Sequence, residues 1–139
     1  QFDKFTTYLK TEAYKDLKLF RPEVIIVKLG TNDSRPDEWV NEDFFYADYL
    51  RLVRRMKSIS DQVYLCYPIL PYGFKWQQRD DILRNKVMKL IKRVSEEEQL
   101  PVINLYREEM RDSVNYYPDG IHPTSNGYDI IAKIIYDNL

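Results

Sequence analysis

Three apolar runs are separated by amphipathic segments, and this alternation limits the folds that the chain can adopt. The runs EVIIVKLG, QVYLCYPI and PVINLY begin at residues 23, 62 and 101. Between them, apolar residues recur near the helical period over residues 42–57 and 80–98. Strands that alternate with helices of this length predict a parallel sheet with right-handed crossovers and helices on both faces. We therefore predict a single three-layer α/β/α domain over residues 1–139.

The helical segments predict which side chains enter the core. The helix over residues 42–57 should bury Phe45, Tyr49, Leu52, Val53 and Met56, and the helix over 80–98 should bury Leu83, Val87, Leu90, Ile91 and Val94. A first helix is predicted over residues 2–19. A last helix, capped by Thr124 or Ser125, should turn Tyr128, Ile131, Ala132 and Ile135 inward. The first apolar run is continuous and β-branched, which is typical of a strand buried on both faces.

Composition excludes several classes of function. The chain carries 21 basic and 22 acidic residues, a net charge of −1, so neither nucleic acid nor an anionic membrane surface is expected as a partner. One cysteine, Cys66, and one histidine, His122, are too few for a zinc cluster or an internal disulfide. Within these 139 residues no signal peptide and no transmembrane stretch are predicted.

Three loops follow the carboxyl ends of the predicted strands. They cover residues 30–39, 68–78 and 106–123. In an open parallel sheet, ligands bind outside the carboxyl ends of the strands. The three loops are therefore expected to share one rim and to form a site there.

The third loop contains the motif DGIH, in which Asp119 lies three residues before His122. Asp119 can accept a hydrogen bond from the imidazole, which fixes its tautomer and stabilises the imidazolium formed on proton uptake. Gly120 permits a sharp turn, and Pro123 keeps His122 out of the last helix. The spacing indicates a catalytic Asp–His pair; the alternative is a surface loop whose histidine only caps neighbouring groups.

The first loop begins with LGTND. Gly30 permits a sharp exit from the strand, and the neutral amide of Asn32 can donate hydrogen bonds to a developing oxyanion. The alternative is an ordinary turn, in which Asn and Asp are common. One glycine with no following Lys-Ser/Thr argues against a phosphate-binding loop.

Together, GTND after a strand and DGIH before the last helix resemble the third and fifth conserved blocks of the SGNH (GDSL-type) hydrolases. The segments VIIVKLGTNDSRPDEW, VYLCYPILPYGFKW and LPVINLY are similar to bacterial carbohydrate esterases of the sialate O-acetylesterase-like and acylhydrolase type. The resemblance extends over nearly all of the chain. It implies a flavodoxin-like SGNH hydrolase fold and an esterase that deacetylates a carbohydrate through a Ser-His-Asp triad.

The same resemblance implies roles for individual residues. His122 is expected to be the general base, Asp119 its orienting partner, Asn32 an oxyanion-hole donor and Gly30 the residue that presents Asn32. Asp33 is expected to stabilise its loop. The substrate would be an acylated carbohydrate or another small ester, with no cofactor. Because the resembling enzymes are often exported, a periplasmic or secreted location is favoured.

The Gly-Asp-Ser block that carries the nucleophile in this family does not occur in these 139 residues. Ser34 and Ser125 lie at turn and cap positions, where serine is common for structural reasons. We therefore expect the nucleophile in an upstream segment. Without the strand that this segment supplies in the family, EVIIVKLG would be an exposed apolar edge. An upstream segment, a second chain or the N-terminal helix is expected to cover that edge.

Aromatic residues in the rim loops raise the question of substrate contacts. Trp39 and Trp76 are predicted to bind substrate, with Tyr72 and Phe74 in the same loops. The alternative is that they pack as lids under the loops. Two other functions stay open: a catalytically silent carbohydrate-binding or interaction module, and a flavodoxin-like nucleotide or flavin binder, which no glycine-rich loop supports.

Overall fold

A computed structural model describes residues 8–73 and 76–139, and three strands in this part form one parallel sheet. The strands are β1 (Val24–Val27), β2 (Gln62–Cys66) and β3 (Val102–Ile103), in the order β1-β2-β3. β1 pairs with β2 from Val24 opposite Gln62 to Val27 opposite Leu65, and Cys66 of β2 lies opposite Ile103 of β3. The predicted parallel sheet is confirmed.

Along the chain, helices precede the first strand, connect the three strands and follow the last one. They are α1 (Glu12–Phe20), α2 (Glu42–Lys57), α3 (Gln77–Ile82), α4 (Met88–Glu98) and α5 (Ser125–Tyr136). A π-helical segment, Leu83–Val87, joins α3 to α4, and two 3-10 turns, Glu108–Met110 and Ser113–Asn115, precede α5. None of the helices in the described ranges has the length and apolar character needed to cross a membrane.

The two faces of β2 contact different helices. Val63 and Leu65 belong to a core formed with α2 and α4, whereas Cys66 packs in a second core with Ile131 and Ile134 of α5. Side chains alternate between the faces of a strand, so this pattern places helices on both sides of the sheet. The predicted three-layer α/β/α arrangement is therefore confirmed.

The predicted inward faces of the two central helical segments are also confirmed. All of the side chains predicted to face inward are buried: Phe45, Tyr49, Leu52, Val53 and Met56 of α2, and Leu83, Val87, Leu90, Ile91 and Val94 of the segment from the π-helix through α4. α2 begins where the side chain of Asn41 accepts a hydrogen bond from the Phe44 N–H at 2.8 Å. This cap satisfies a backbone donor that the first turn of the helix cannot.

The predicted inward face of the last helix was wrong in part. Ile131 and Ile134 are buried, but Tyr128 is 56% exposed, Ala132 is exposed and Ile135 is only half-buried. Gly127 sets the rotation of α5, because a Cβ atom there would lie 2.3 Å from the Asn115 carbonyl oxygen. The face of Gly127, Ile131 and Ile134 therefore turns inward, and Thr124 rather than Ser125 caps the helix.

The predicted helix over residues 2–19 is interrupted in the described residues, because Tyr8 is helical but residues 9–11 are not. Residues 1–7 lie outside the described residues, so their part of the prediction is not addressed. The side chain of Thr11 accepts a hydrogen bond from the Tyr14 N–H at 3.2 Å and caps α1, which therefore starts at Glu12. The spacing of apolar residues did not indicate this cap, because Leu9, which precedes Thr11, also fits the helical period.

β1 is buried on one face only, which corrects the prediction of burial on both faces. Ile25 and Val27 are buried, but Val24 and Ile26 are each 37% exposed. Within the described residues no strand pairs with the outer edge of β1, which borders an apolar groove of about 430 Å³. The groove is lined by residues that include Leu17, Phe20 and Ile26. The predicted exposed apolar edge is thus present in this part of the chain.

Alanine substitutions on the two faces of β1 test this one-sided burial. In the 139-residue chain, Ile25→Ala should lower the free energy of unfolding by about 2–5 kcal/mol, because it leaves a cavity in a packed core. Ile26→Ala should lower it by less than about 1 kcal/mol, because its side chain is partly in solvent. Urea unfolding at one pH measures both values, and equal losses would contradict the assignment of faces.

Candidate active site

A cleft of about 590 Å³ opens at the carboxyl ends of the strands. Its lining combines Gly30 and Asn32 after β1, Ile69 after β2, and His122 before α5. The prediction that three loops meet at one rim is therefore confirmed. The cleft brings the Asn32 loop and the His122 loop together, although these loops are far apart in sequence.

The DGIH loop is built by one side chain. The Oδ1 atom of Asp119 accepts hydrogen bonds from the backbone N–H groups of Ile121, at 2.8 Å, and His122, at 2.9 Å. The Tyr117 N–H donates to the His122 carbonyl oxygen at 2.9 Å and closes the base of the loop. An aspartate at the start of a tight turn commonly makes such bonds to the backbone that follows. The loop therefore holds the backbone of His122 in place.

The second oxygen of the same carboxylate orients the imidazole. Asp119 Oδ2 lies 2.7 Å from His122 Nδ1. Hydrogen bonds from the backbone N–H groups of His122 and Ile121, and then from the His122 ring, hold the pKa of the Asp119 carboxyl well below its ordinary value. An ionised carboxylate only accepts hydrogen bonds, so Nδ1 carries the proton and Nε2 presents a lone pair. The side chain of His122 is 73% exposed, so a reacting group can reach it.

Gly120 allows this loop to pack closely against the loop that follows β2. It has a φ of +72°, and a Cβ atom there would lie 2.1 Å from the Tyr72 carbonyl oxygen. The Tyr72 N–H donates to the Gly120 carbonyl oxygen at 2.8 Å. No side chain fits between these two backbones, which explains the glycine of the DGIH motif.

Gly30 has a similar function in the Asn32 loop. Its φ is +113°, and a Cβ atom would lie 2.9 Å from Val87 Cγ1 in the π-helical segment. The chain can therefore leave β1 sharply and pass close over this segment. Asn32 then lies exposed at the cleft.

Arg79 is a residue of the site region that the sequence reasoning missed. Its guanidinium donates from Nε to the Thr31 carbonyl oxygen at 3.1 Å and to Ser34 Oγ at 3.0 Å. From Nη2 it donates to the same carbonyl oxygen and to Asn32 Oδ1, the latter at 3.3 Å. Arg79 is only 5% exposed, and burial lowers the pKa of its guanidinium. Its partners are more than 40 residues away in sequence, so no local pattern indicated the contact.

The two serines that the sequence analysis placed at turn and cap positions, Ser34 and Ser125, differ in exposure. Ser34 is fully buried and donates to the Thr31 carbonyl oxygen at 2.6 Å, so its hydroxyl cannot reach a substrate. Ser125 is exposed in the first turn of α5. Within residues 8–73 and 76–139, no serine hydroxyl forms a hydrogen bond with His122.

Neither tryptophan predicted to bind substrate is among the residues that line the cleft. Trp39 packs against Phe45 with ring centroids 5.8 Å apart. Trp76 donates from its indole Nε1 to the Asp119 carbonyl oxygen at 2.7 Å. Phe74 lies outside the described residues. Binding of substrate by Trp39 and Trp76 stays a prediction.

Metal-binding groups are sparse in this region. In the part of the chain that the structure describes, no three His, Cys, Asp or Glu side chains are arranged to hold a metal ion. Cys66 is buried, and burial raises the pKa of its thiol to about 11. A protonated thiol of this kind is neither a ligand nor a nucleophile at neutral pH.

Two glycine substitutions test the close packing of the DGIH loop. Gly73→Ala should lower the free energy of unfolding by about 1–2 kcal/mol, because its φ is +101° but no atom lies within 4 Å of the added Cβ. Gly120→Ala has the same kind of backbone strain and also a backbone clash, so it should cost clearly more. Chemical unfolding of both variants isolates the clash. A loss for Gly120→Ala no larger than that for Gly73→Ala would contradict the packing.

Solved structures of other proteins have the same fold as this chain. A lipase/acylhydrolase from Enterococcus faecalis superposes with a TM-score of 0.73 at 20% identity, over 91% of this chain and 68% of its own. An acetylxylan esterase from Geobacillus stearothermophilus gives a TM-score of 0.74 at 17% identity, over 96% of this chain and 66% of its own. A GDSL-like lipase from Bacteroides thetaiotaomicron gives 0.60 at 26% identity, over 92% of this chain and 70% of its own.

Sequence comparison leads to the same group of proteins. The chain is 26% identical over 147 residues to an acetylxylan esterase from Xylanibacter ruminicola, which covers 92% of this chain and 31% of that protein. The chain thus spans about a third of the length of this relative. A family model of GDSL-like lipases and acylhydrolases matches residues 5–130. The chain therefore belongs to the GDSL-like lipase/acylhydrolase family.

Proposed function

We propose that this chain supplies the general base, its orienting carboxylate and an oxyanion donor to a serine esterase that deacetylates a carbohydrate. The observation that carries the proposal is the 2.7 Å contact between Asp119 Oδ2 and His122 Nδ1, at the edge of a cleft that Asn32 also lines. The membership of the GDSL-like family supports an ester hydrolase or acylhydrolase.

The reaction follows from these groups. A serine oxygen attacks the ester carbonyl while His122 Nε2 takes the serine proton, and Asp119 stabilises the imidazolium that forms. The carbonyl oxygen becomes negative, and the amide N–H of Asn32 donates to it. His122 then gives its proton to the departing sugar oxygen as the C–O bond breaks. Water, deprotonated by His122, attacks the acyl-enzyme; His122 then returns this proton to the serine oxygen as its bond to the acyl carbon breaks, which releases acetic acid and free serine.

The nucleophile in this proposal comes from outside the 139 residues. Ser34 is fully buried, and no described serine hydroxyl forms a hydrogen bond with His122. The open edge of β1 and the apolar groove beside it could receive a further strand, whose carboxyl end would lie beside Gly30 and Asn32. We propose that this strand carries the serine; a second chain is the other source that the open edge permits.

An acetylated sugar is the substrate class that the cleft and the relatives favour. Lys28, Asp33, Arg35 and Glu38 give the cleft a lining of mixed charge, which suits a ligand with many hydroxyl groups. Two of the relatives described above are acetylxylan esterases. Trp39 and Trp76 stay candidates for contacts with sugar rings through their aromatic faces.

Substitution of the Asp–His pair tests the proposal in the full-length protein that contains this chain. His122→Ala should lower kcat for release of acetate from acetylated xylooligosaccharides by about 10⁴-fold or more, because the general base is lost. Asp119→Asn should lower kcat by about 10³ to 10⁴-fold, because the imidazole tautomer is no longer enforced.

Ser125→Ala is the matched control, since this serine is exposed beside the same loop and has no role in the proposed reaction. It should leave kcat within about 2-fold of the parent. Turnover of the His122→Ala variant at the parent rate would refute the proposal.

A catalytically silent carbohydrate-binding module is the second candidate. It is favoured by one observation, the absence of a hydrogen bond between His122 and any serine in the described residues. This candidate predicts calorimetric binding of acetylated xylooligosaccharides by the full-length protein without release of acetate. Acetate release that depends on His122 would exclude it.

A further inference from the structure

We infer that Arg79 is a positioning residue, which holds the side-chain amide of Asn32 so that its N–H groups face the cleft. The inference rests on the proposed function and extends it to a residue of α3. Asn32 is exposed at the cleft, while its Oδ1 atom is 3.3 Å from Nη2 of the buried Arg79. The carbonyl end of the amide is therefore directed at the protein, and the amino end is left for a ligand.

A guanidinium enforces this orientation because it has donors and no acceptor. If the Asn32 amide were rotated by 180°, its amino group would meet the donor Nη2 of Arg79. The rotated amide would lose a hydrogen bond and place two partly positive groups together. Arg79 thus selects the rotamer that presents a donor to a developing oxyanion.

The guanidinium also holds the backbone on both sides of Asn32. Arg79 Nε donates to the Thr31 carbonyl oxygen at 3.1 Å and to Ser34 Oγ at 3.0 Å, and Ser34 Oγ donates back to Thr31 at 2.6 Å. The guanidinium therefore holds three groups: the backbone of Thr31, the side chain of Asn32 and the side chain of Ser34. A lysine ammonium is a point charge and cannot reproduce this fork.

The charge of Arg79 adds to this effect. Among the described residues, the hydrogen-bond acceptors of Arg79 are a backbone carbonyl, a hydroxyl and an amide oxygen, which are neutral, while burial lowers its pKa and the carboxylates of Asp37 and Asp33 act to raise it. Burying a charge is costly, and these hydrogen bonds and carboxylates offset part of that cost. A cation bound to the oxygen of an amide polarises the amide and strengthens its N–H groups as donors. The positive charge lies behind Asn32, where it favours an anion in the cleft.

Trp76 connects Arg79 to the Asp–His pair. The guanidinium lies over the Trp76 ring at 5.3 Å, and the indole Nε1 of Trp76 donates to the Asp119 carbonyl oxygen at 2.7 Å. Arg79 and Trp76 are one helical turn apart near the start of α3. The end of the loop after β2 and the start of α3 therefore join the loop that carries the oxyanion donor to the loop that carries the base.

A double-mutant cycle in the full-length protein tests the inference. Asn32→Ala should lower kcat by about 10²–10³-fold with little change in KM, as expected for a donor used in the transition state. Arg79→Lys should lower kcat by about 10-fold or more, with KM within about 2-fold. The double variant should be no slower than Asn32→Ala by more than about 2-fold, because Arg79 acts through Asn32.

Losses that multiply in the double variant, or an Arg79→Lys variant with the parent kcat, would overturn the inference. Ser34→Ala, which removes one acceptor of Arg79, is a milder variant if Arg79→Lys does not fold. It should also lower kcat only when Asn32 is present. Arg84→Lys is the matched control, because Arg84 is on the same helical segment with a side chain 56% exposed, and it should leave kcat unchanged.

A structural readout separates failure of the inference from failure of the proposed function. The side-chain amide of Asn32, identified in ¹⁵N NMR spectra by its loss in Asn32→Ala, should shift or broaden in Arg79→Lys and not in Arg84→Lys. An Asn32 amide signal that does not shift or broaden in Arg79→Lys would overturn the inference, whether or not the protein hydrolyses an ester. A shifted amide without ester hydrolysis would support the inference and refute the proposed function.

Discussion

The candidate site depends first on the carboxylate of Asp119, because its two oxygens have separate tasks. Oδ1 binds two backbone N–H groups and so gives the DGIH loop its shape, while Oδ2 binds the imidazole of His122. The backbone hydrogen bonds favour the ionised carboxylate, which accepts the hydrogen bond from Nδ1–H more strongly than a neutral acid would. The same group therefore determines where the histidine lies, which tautomer it adopts and how its imidazolium is stabilised.

The position of this loop depends in turn on close contacts with the loop after β2. Gly120 and Tyr72 approach so closely that a side chain at Gly120 would clash with backbone, and Trp76 binds the Asp119 carbonyl oxygen. Arg79 of α3 binds the Asn32 loop. The second rim loop, which the sequence suggested as a place for substrate contacts, thus connects, together with the start of α3, the two groups of residues that carry the proposed chemistry.

The sequence predicted those features that depend on local spacing. The pairing of Asp119 with His122 spans three residues, and the inward faces of α2 and α4 follow the helical period, so both could be predicted from the sequence. The contact of Arg79 with Asn32 spans 47 residues, and no neighbouring residue indicates it. The rotation of α5 was misjudged because Gly127, which a periodicity argument ignores, packs against the Asn115 carbonyl oxygen. Burial of Ile26 depends on what lies beside β1, which its own apolar sequence does not specify.

The central claim is that residues of this chain complete a triad whose serine lies elsewhere. Labelling of the full-length protein with a fluorophosphonate, followed by peptide mapping of the adduct, tests it most directly, since the reagent captures serines activated by a base. We expect one adduct on a serine outside the 139 residues, which disappears when His122 is replaced by alanine. An adduct on Ser125 or on any other serine of these residues would contradict the account.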